Sequence, residues 1–220
     1  MSRHSLEPPE EPAPHTRGIL MNWAAAIYDR YCPLIGLGDP FRHETLRHAV
    51  LQPGEQVLDV GCGTGVLTRH AADAVGPAGH AVGIDPGVKM IRVARARAAQ
   101  TANSAEFKVA AIEQLPFPDE HFDAVLSSLM LNHLPPDVKR AGLCEVYRVL
   151  KPGGRLVAVD IDRPENAGWW LVIWPLLLMP TAVANVRGEI PACLREAGFQ
   201  AVEAKGRWAK LLTFWAAVKP

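Results

Sequence analysis

From Val57 onward, short apolar runs alternate with longer stretches whose apolar residues recur at helical spacing. The runs Gln56–Val60, His80–Ile84, Phe107–Ala110, Phe122–Ser127 and Arg155–Ile161 predict strands. Between them, residues 87–99 place Met90, Ile91, Ala94 and Ala98 on one face, with Lys89, Arg92, Arg95 and Arg97 elsewhere. Residues 137–150 form a second such stretch, ended by Lys151-Pro152-Gly153-Gly154 as terminator and turn. Strands apolar on both faces and joined by helices predict a parallel sheet covered on both sides, a doubly wound α/β fold. After Pro164 the pattern changes. A short helix over Ile190–Ala197 ends at Gly198, and the runs Ala201–Gly206 and Leu211–Val218 lie too close in sequence to pair other than antiparallel. Residues 15–50 are helical in character.

Composition narrows the class. Of 220 residues, 49% are hydrophobic, enough for a full core and too apolar for a disordered chain. Lys and Arg number 23 against 23 Asp and Glu, so no basic face makes nucleic acid the default partner. Cys32, Cys62, Cys144 and Cys193 are widely spaced without a C-x-x-C pair, which suggests neither zinc site nor disulfide framework and points to a cytoplasmic protein. Pro8, Pro9, Pro12 and Pro14, with three glutamates among them, make residues 1–14 a flexible tail and no secretory signal. The run AGWWLVIWPLLLMPTAVANV over 167–186 holds no ionisable side chain. Its length meets the threshold of a membrane span. Pro175 and Pro180 inside it favour a buried or substrate-facing cap, or a membrane-surface or dimer contact.

The chemistry concentrates in Val57-Leu58-Asp59-Val60-Gly61-Cys62-Gly63-Thr64-Gly65. A strand runs into three alternate glycines and then into a helix, and such a loop lets backbone approach a ligand lying across the strand end. The spacing is not the G-x-G-x-x-G of dinucleotide folds. Asp59 would repel a pyrophosphate but suits a cationic amino group. The implied ligand is nucleoside-like, with an ammonium and no diphosphate, as in S-adenosyl-L-methionine. Asp85 closes the second strand, where a carboxylate takes both ribose hydroxyls or, with Pro86 following, caps the next helix.

VLDVGCGTG, GIDPG over 83–87, AAIEQLPFPDEHFDAV over 110–125 and LKPGGRL over 150–156 together resemble the class I SAM-dependent methyltransferases, nearest their UbiE/Coq5-like branch. The resemblance implies a Rossmann-like seven-stranded sheet with an antiparallel last strand. It implies one domain over 15–220, with a helical N-terminal lid over 15–50 and a cap or substrate segment over 164–198. It assigns Asp59, Gly61, Gly63 and Gly65 to the methionine end, Asp85 to the ribose, and Pro86, Met90, Ile112 and Leu129 to the cofactor's surroundings. Where the family writes an acid that bonds the adenine amino group, this chain has Ala111. Losing one such bond weakens binding roughly tenfold. Tyr28, in a short match to the family's Y-D opening, is a further candidate contact to the cofactor.

Methyl transfer from a sulfonium is an in-line displacement that chiefly needs alignment and dryness. A base is required only where the acceptor loses a proton. His133, in Leu129-Met130-Leu131-Asn132-His133-Leu134-Pro135, is the candidate base, or else a packing residue beside the cofactor. Arg42 is a candidate partner for the methionine carboxylate. The other histidines carry no ligand spacing and read as surface, and no metal is implied. Trp169, Trp170 and Trp174 suggest an apolar small-molecule acceptor such as a quinone, lipid or secondary metabolite. The alternatives are a non-catalytic SAM-binding scaffold and a nicotinamide-dependent oxidoreductase.

Overall fold

A computed structural model of the chain describes residues 14–22, 25, 28–174, 178 and 180–220. The elements in order are α1 (Tyr28–Tyr31), a 3-10 turn (Cys32–Ile35), α2 (Asp39–Ala49), β1 (Gln56–Val60), α3 (Val66–Val75), β2 (His80–Asp85) and α4 (Val88–Gln100). Then follow β3 (Glu106–Val109), β4 (Phe122–Ser128), a 3-10 turn (Leu131–His133), α5 (Pro136–Val149) and β5 (Leu150–Ile161). The chain ends with α6 (Ala167–Ile173), α7 (Pro180–Val186), α8 (Ile190–Glu196), β6 (Gln200–Trp208) and β7 (Leu212–Val218).

The strands form one seven-stranded sheet in the order β3-β2-β1-β4-β5-β7-β6. The first five are parallel, and β7 is antiparallel to both β5 and β6. Alternation along the strands explains the two covered faces. Leu58, Val125 and Leu156 enter a core with Val138, Leu143 and Val146 of α5 and with Ile190 and Leu194 of α8. Their neighbours Val57, Ala124 and Val157 enter the opposite core with Leu67, Ala71 and Val75 of α3. Edge strand β6 is largely exposed and carries Glu203, Lys205 and Arg207, which discourages pairing with another chain.

Register places the site. Val60 lies beside Ile84 of β2 and Ser127 of β4, so the carboxyl ends of three strands meet where the strand order reverses. That crevice is where open α/β sheets bind ligands.

Two expectations are corrected. Residues 15–50 are not helical throughout: residues 14–22 form a strap of almost no regular structure, held by tertiary contacts. Ile19 N–H donates to the His133 carbonyl at 3.0 Å, Lys89 N–H donates to Asn22 Oδ1 at 3.2 Å, and Arg17 pairs with Asp137. Lys151–Gly154 is a bulge inside β5, since Leu150 pairs with Phe122 and the next paired residue, Arg155, with Ala124. Lys219, just after β7, closes that bulge, its carbonyl taking Gly153 N–H and its own N–H meeting the Gly154 carbonyl. The uncharged run breaks into α6 and α7, Pro180 opening the second, and no helix among the described residues is long and apolar enough to cross a membrane. The tail over 1–13 lies outside the described residues.

Candidate functional site

The glycine loop follows β1 directly. Gly61, Gly63 and Gly65 all have positive φ (75°, 53° and 76°), a region in which side chains are strained. Their surroundings differ. A Cβ on Gly65 would meet the Phe107 ring at 2.4 Å and the Ala94 methyl at 2.9 Å, and one on Gly61 would meet Met130 at 2.3 Å. A Cβ on Gly63 would meet nothing within 4 Å among the described residues. Gly63 thus faces the crevice. Gly65, which lines neither cavity described below, is the point at which α3 packs against α4 and β3.

Two carboxyl groups flank the loop. Asp59 is 1% exposed and accepts the Thr68 hydroxyl at 2.6 Å. Burial pushes it up to about 7, against the opposing Thr68 bond, and the nearby Asp85 carboxyl adds to the rise. An approaching cation would reverse that shift, which fits a group awaiting an ammonium. Asp85 takes Gly87 N–H at 2.7 Å on one oxygen and Gly63 N–H at 3.1 Å on the other. It is therefore both the turn-former before α4 and the brace of the glycine loop. Burial raises its pKa in spite of those two amides. Each oxygen keeps a lone pair for a ribose hydroxyl.

Two cavities open on either side of the loop and share Gly61, Gly63, Ser128 and Leu129. Asp59, Thr64, Arg42 and Cys32 line one. Asp85, Pro86, Met90, Ile112, Glu113 and the strap line the other, with His133. Leu129 takes a left-handed φ of 56° and donates its N–H to the Val159 carbonyl at 2.8 Å, which turns the chain out of β4 into the crevice. The strap residues Thr16, Gly18, Ile19, Leu20 and Met21 and the Met130 side chain lie over the second of these cavities. Arg42 reaches its cavity already bonded to the Leu37 carbonyl at 2.9 Å. Ala111 is buried but lines neither cavity. The Tyr28 side chain lies outside the described residues.

A third, apolar chamber of about 450 Å³ is lined by Ile35, Leu37, Trp169, Ala182, Trp208 and Leu212, among others, and shares Met21, Leu129 and His133 with the cavity that Asp85 lines. His133 stands at that junction. Burial lowers its pKa, against the pull of Asp160, which favours the neutral ring, and its Nδ1 is buried with no hydrogen-bond partner among the described residues. Beneath it lies a buried polar cluster that pattern reading did not find. Asp160 accepts Asn132 Nδ2 at 2.9 Å, Asn132 N–H at 3.1 Å and Ile161 N–H at 2.7 Å. Lys139, 1% exposed, bonds to Asn185 of α7, and burial lowers its pKa against the pull of Asp160. A lysine on an amphipathic helix reads as solvent-facing, and its partner lies 46 residues away. Two histidines predicted at the surface are packed. His48 lies on Phe214, ring centroids 4.8 Å apart, and His70 stacks on His43 at 4.9 Å. Among the described residues no group of three or more His, Cys, Asp or Glu is placed to hold a metal ion.

Comparison with known proteins bears on this arrangement. Residues 57–154 match the family model described as a methyltransferase domain. A demethylmenaquinone methyltransferase of Listeria monocytogenes is 37% identical over 145 residues, 64% of this chain and 60% of the relative. The ubiquinone/menaquinone biosynthesis C-methyltransferase UbiE of Ectopseudomonas mendocina is 38% identical over 146 residues, 64% of this chain and 56% of its own. An arsenite methyltransferase of Halobacterium salinarum is 37% identical over 171 residues, 77% of this chain and 42% of the relative. The chain thus spans about three fifths, or less, of the curated relatives it matches. In three dimensions, a SAM-dependent methyltransferase from Aquifex aeolicus superposes with a TM-score of 0.75 at 22% identity, over 92% of this chain and all of the other. That likeness establishes the fold.

Proposed function

We propose that this chain, which belongs to the class I S-adenosylmethionine-dependent methyltransferases and is UbiE-like, moves a methyl group to a small apolar acceptor by in-line displacement. One observation carries the reading: the glycine-loop crevice, with Asp59 and Asp85 at its ends, shares Leu129 and His133 as walls with an apolar chamber. The cofactor supplies a methyl on a cationic sulfur. The chain's residues do the rest. Asp59 holds the ammonium, Asp85 the ribose, and Gly63 leaves room for backbone approach.

The acceptor lies in the apolar chamber, where aromatic and aliphatic walls exclude water. Its nucleophilic atom forms the new bond to carbon while the carbon–sulfur pair returns to sulfur. A phenolic or enolic acceptor gives its proton to the neutral His133 ring, which the Leu131–His133 turn holds at the junction. A ring-bearing apolar acceptor of the quinone kind suits this chamber and is what the printed names of two relatives indicate for those proteins. Residues 14–22 serve as the lid, and α6 and α7 as the cap. Trp174 and Leu178, 58% and 73% exposed, mark the apolar surface through which the cap meets a membrane surface or a second copy of the chain. Such contacts suit a cytoplasmic enzyme drawing an apolar acceptor from a bilayer.

The test is to incubate the protein with methyl-labelled cofactor and a cell extract. Label in an apolar, solvent-extractable product is expected, and His133→Asn should slow turnover about 100-fold while leaving S-adenosylhomocysteine affinity within about twofold. No labelled product in any fraction would leave a cofactor-binding scaffold, and binding of NAD alone would point to an oxidoreductase.

A further inference from the structure

Among the described residues that line the apolar chamber, two side chains carry a nitrogen or oxygen able to accept a hydrogen bond, Asn132 and His133. Asn132 is fixed from beneath. Asp160 Oδ1 accepts Asn132 Nδ2 at 2.9 Å and Ile161 N–H at 2.7 Å, and its Oδ2 accepts Asn132 N–H at 3.1 Å. Both carboxyl oxygens are thus engaged by backbone donors, so the Asn132 amide turns its NH2 end toward them and its oxygen away. That oxygen, Oδ1, takes no donor among the described residues and is not sealed in the interior. Asn132 is 6% exposed and lines the chamber but neither of the cavities beside the glycine loop, so its oxygen opens on the chamber.

An amide oxygen set among apolar walls is left unsatisfied when a ligand displaces its water and brings no donor in return. A ligand that brings a hydroxyl removes that cost. His133 takes the proton released at the reacting group, so the hydrogen offered to Asn132 belongs to a second group. We infer that Asn132, locked by Asp160, accepts a hydrogen bond from a hydroxyl of the methyl acceptor other than the group that His133 deprotonates, and so selects acceptors that carry one. This rests on the placement of the acceptor in the chamber and adds to it a requirement on the acceptor's chemistry, with the residue that imposes it. A keto or ether oxygen at the same place would set one acceptor atom against another and be disfavoured.

Calorimetry on the protein saturated with S-adenosylhomocysteine tests this with two probes of one ring system, 1,5-dihydroxynaphthalene and 1-naphthol. The unaltered protein should bind the dihydroxy compound about tenfold more tightly, the effect of one neutral hydrogen bond. Asn132→Leu should weaken the dihydroxy compound about tenfold and leave 1-naphthol within about threefold, so that the two bind alike. Asp160→Asn puts an amide donor beside Asn132 and lets its oxygen turn inward, so it should narrow the preference to about threefold with Asn132 still in place. That variant also covers the case in which the leucine protein fails to fold. Equal binding of the two probes by the unaltered protein, or a tenfold preference kept in the folded variants, would overturn the inference. Uptake of S-adenosylhomocysteine but of neither probe would refute the acceptor's place in the chamber and the inference with it. If S-adenosylhomocysteine itself did not bind, the cofactor reading would fall first, a result distinct from the other two.

Discussion

The two sides of the crevice are made in different ways. On the cofactor side, the groups that matter sit at strand ends and in one loop: Gly61 and Gly63 after β1, Asp85 at the end of β2, Ser128 at the end of β4. Parallel register brings them together, and the distances between them follow from the backbone. On the acceptor side, the walls come from segments far apart in the chain. Ile35 and Leu37 precede the sheet, Trp169 and Ala182 belong to the cap, and Trp208 and Leu212 flank the β6–β7 hairpin. They are tied by side chains, as when Trp208 Nε1 donates to the Gly36 carbonyl at 3.0 Å and packs edge-on against Phe41. A site made from backbone tolerates little change in the residues that shape it. One made from side chains can be re-lined, which is how a single fold serves many acceptors.

The glycines offer the harshest test of that contrast. Gly65→Ala forces a methyl into Phe107 and Ala94 at a positive φ, so it combines overpacking with backbone strain, about 2–4 kcal/mol in all. The melting temperature should fall by about 5–15 °C. Gly63→Ala meets no neighbour among the described residues and bears only the strain, so it should fold with a loss of a few degrees yet bind S-adenosylhomocysteine at least tenfold more weakly. Should both variants melt alike, or Gly63→Ala bind normally, the loop would be a structural turn and not a ligand cradle.

The same contrast explains what could be read in advance. Glycines at alternate positions, an aspartate two residues before them and another at the next strand end are local signals, and local signals print in sequence. So did the strands, because alternating burial on two faces leaves apolar runs. The rest needed partners from elsewhere. Nothing within residues 14–22 shows that they lie as a strap, since Ile19 is held by the carbonyl of His133 and Thr16 by Glu113. Nothing around Leu129 announces a left-handed turn, which the Val159 carbonyl stabilises from β5. Lys139 and Asp160 look like ordinary surface charges until α7 and the Leu131–His133 turn close over them.

A middling effect is expected from pH on the cofactor side. Asp59, buried, is held up to about 7, whereas in the unfolded chain it titrates near 3.8. Between about pH 4 and 7 the folded protein keeps a proton that the unfolded chain has lost, so this group favours folding at the acid end of the window, and that advantage fades as pH rises through 7. Binding of an ammonium runs the opposite way, because only the ionised carboxylate attracts it. Affinity for S-adenosylhomocysteine should therefore fall about tenfold from pH 8 to pH 6. Calorimetry in buffers of different ionisation enthalpy should detect proton release on binding near pH 7. Asp59→Asn should bind more weakly at pH 8 and show a flat profile. An unchanged slope in that variant would assign the pH dependence to another group.

The smallest effect should come from the acceptor side. Trp169 lines the apolar chamber from α6, on a cap whose other tryptophans, Trp170 and Trp174, are exposed. Trp169→Ala removes one wall without touching the glycine loop, Asp59 or Asp85. S-adenosylhomocysteine affinity should stay within about twofold, while KM for the acceptor rises about 3- to 8-fold, since part of one aromatic contact of about 1–2 kcal/mol is lost. Trp174→Ala, whose side chain faces solvent, should leave both constants unchanged when the acceptor is presented free of membrane. If Trp169→Ala instead weakened cofactor binding and spared KM, the chamber would be an extension of the cofactor crevice. The acceptor would then have to reach the methyl group by another route, and the division of the site into a backbone half and a side-chain half would fail.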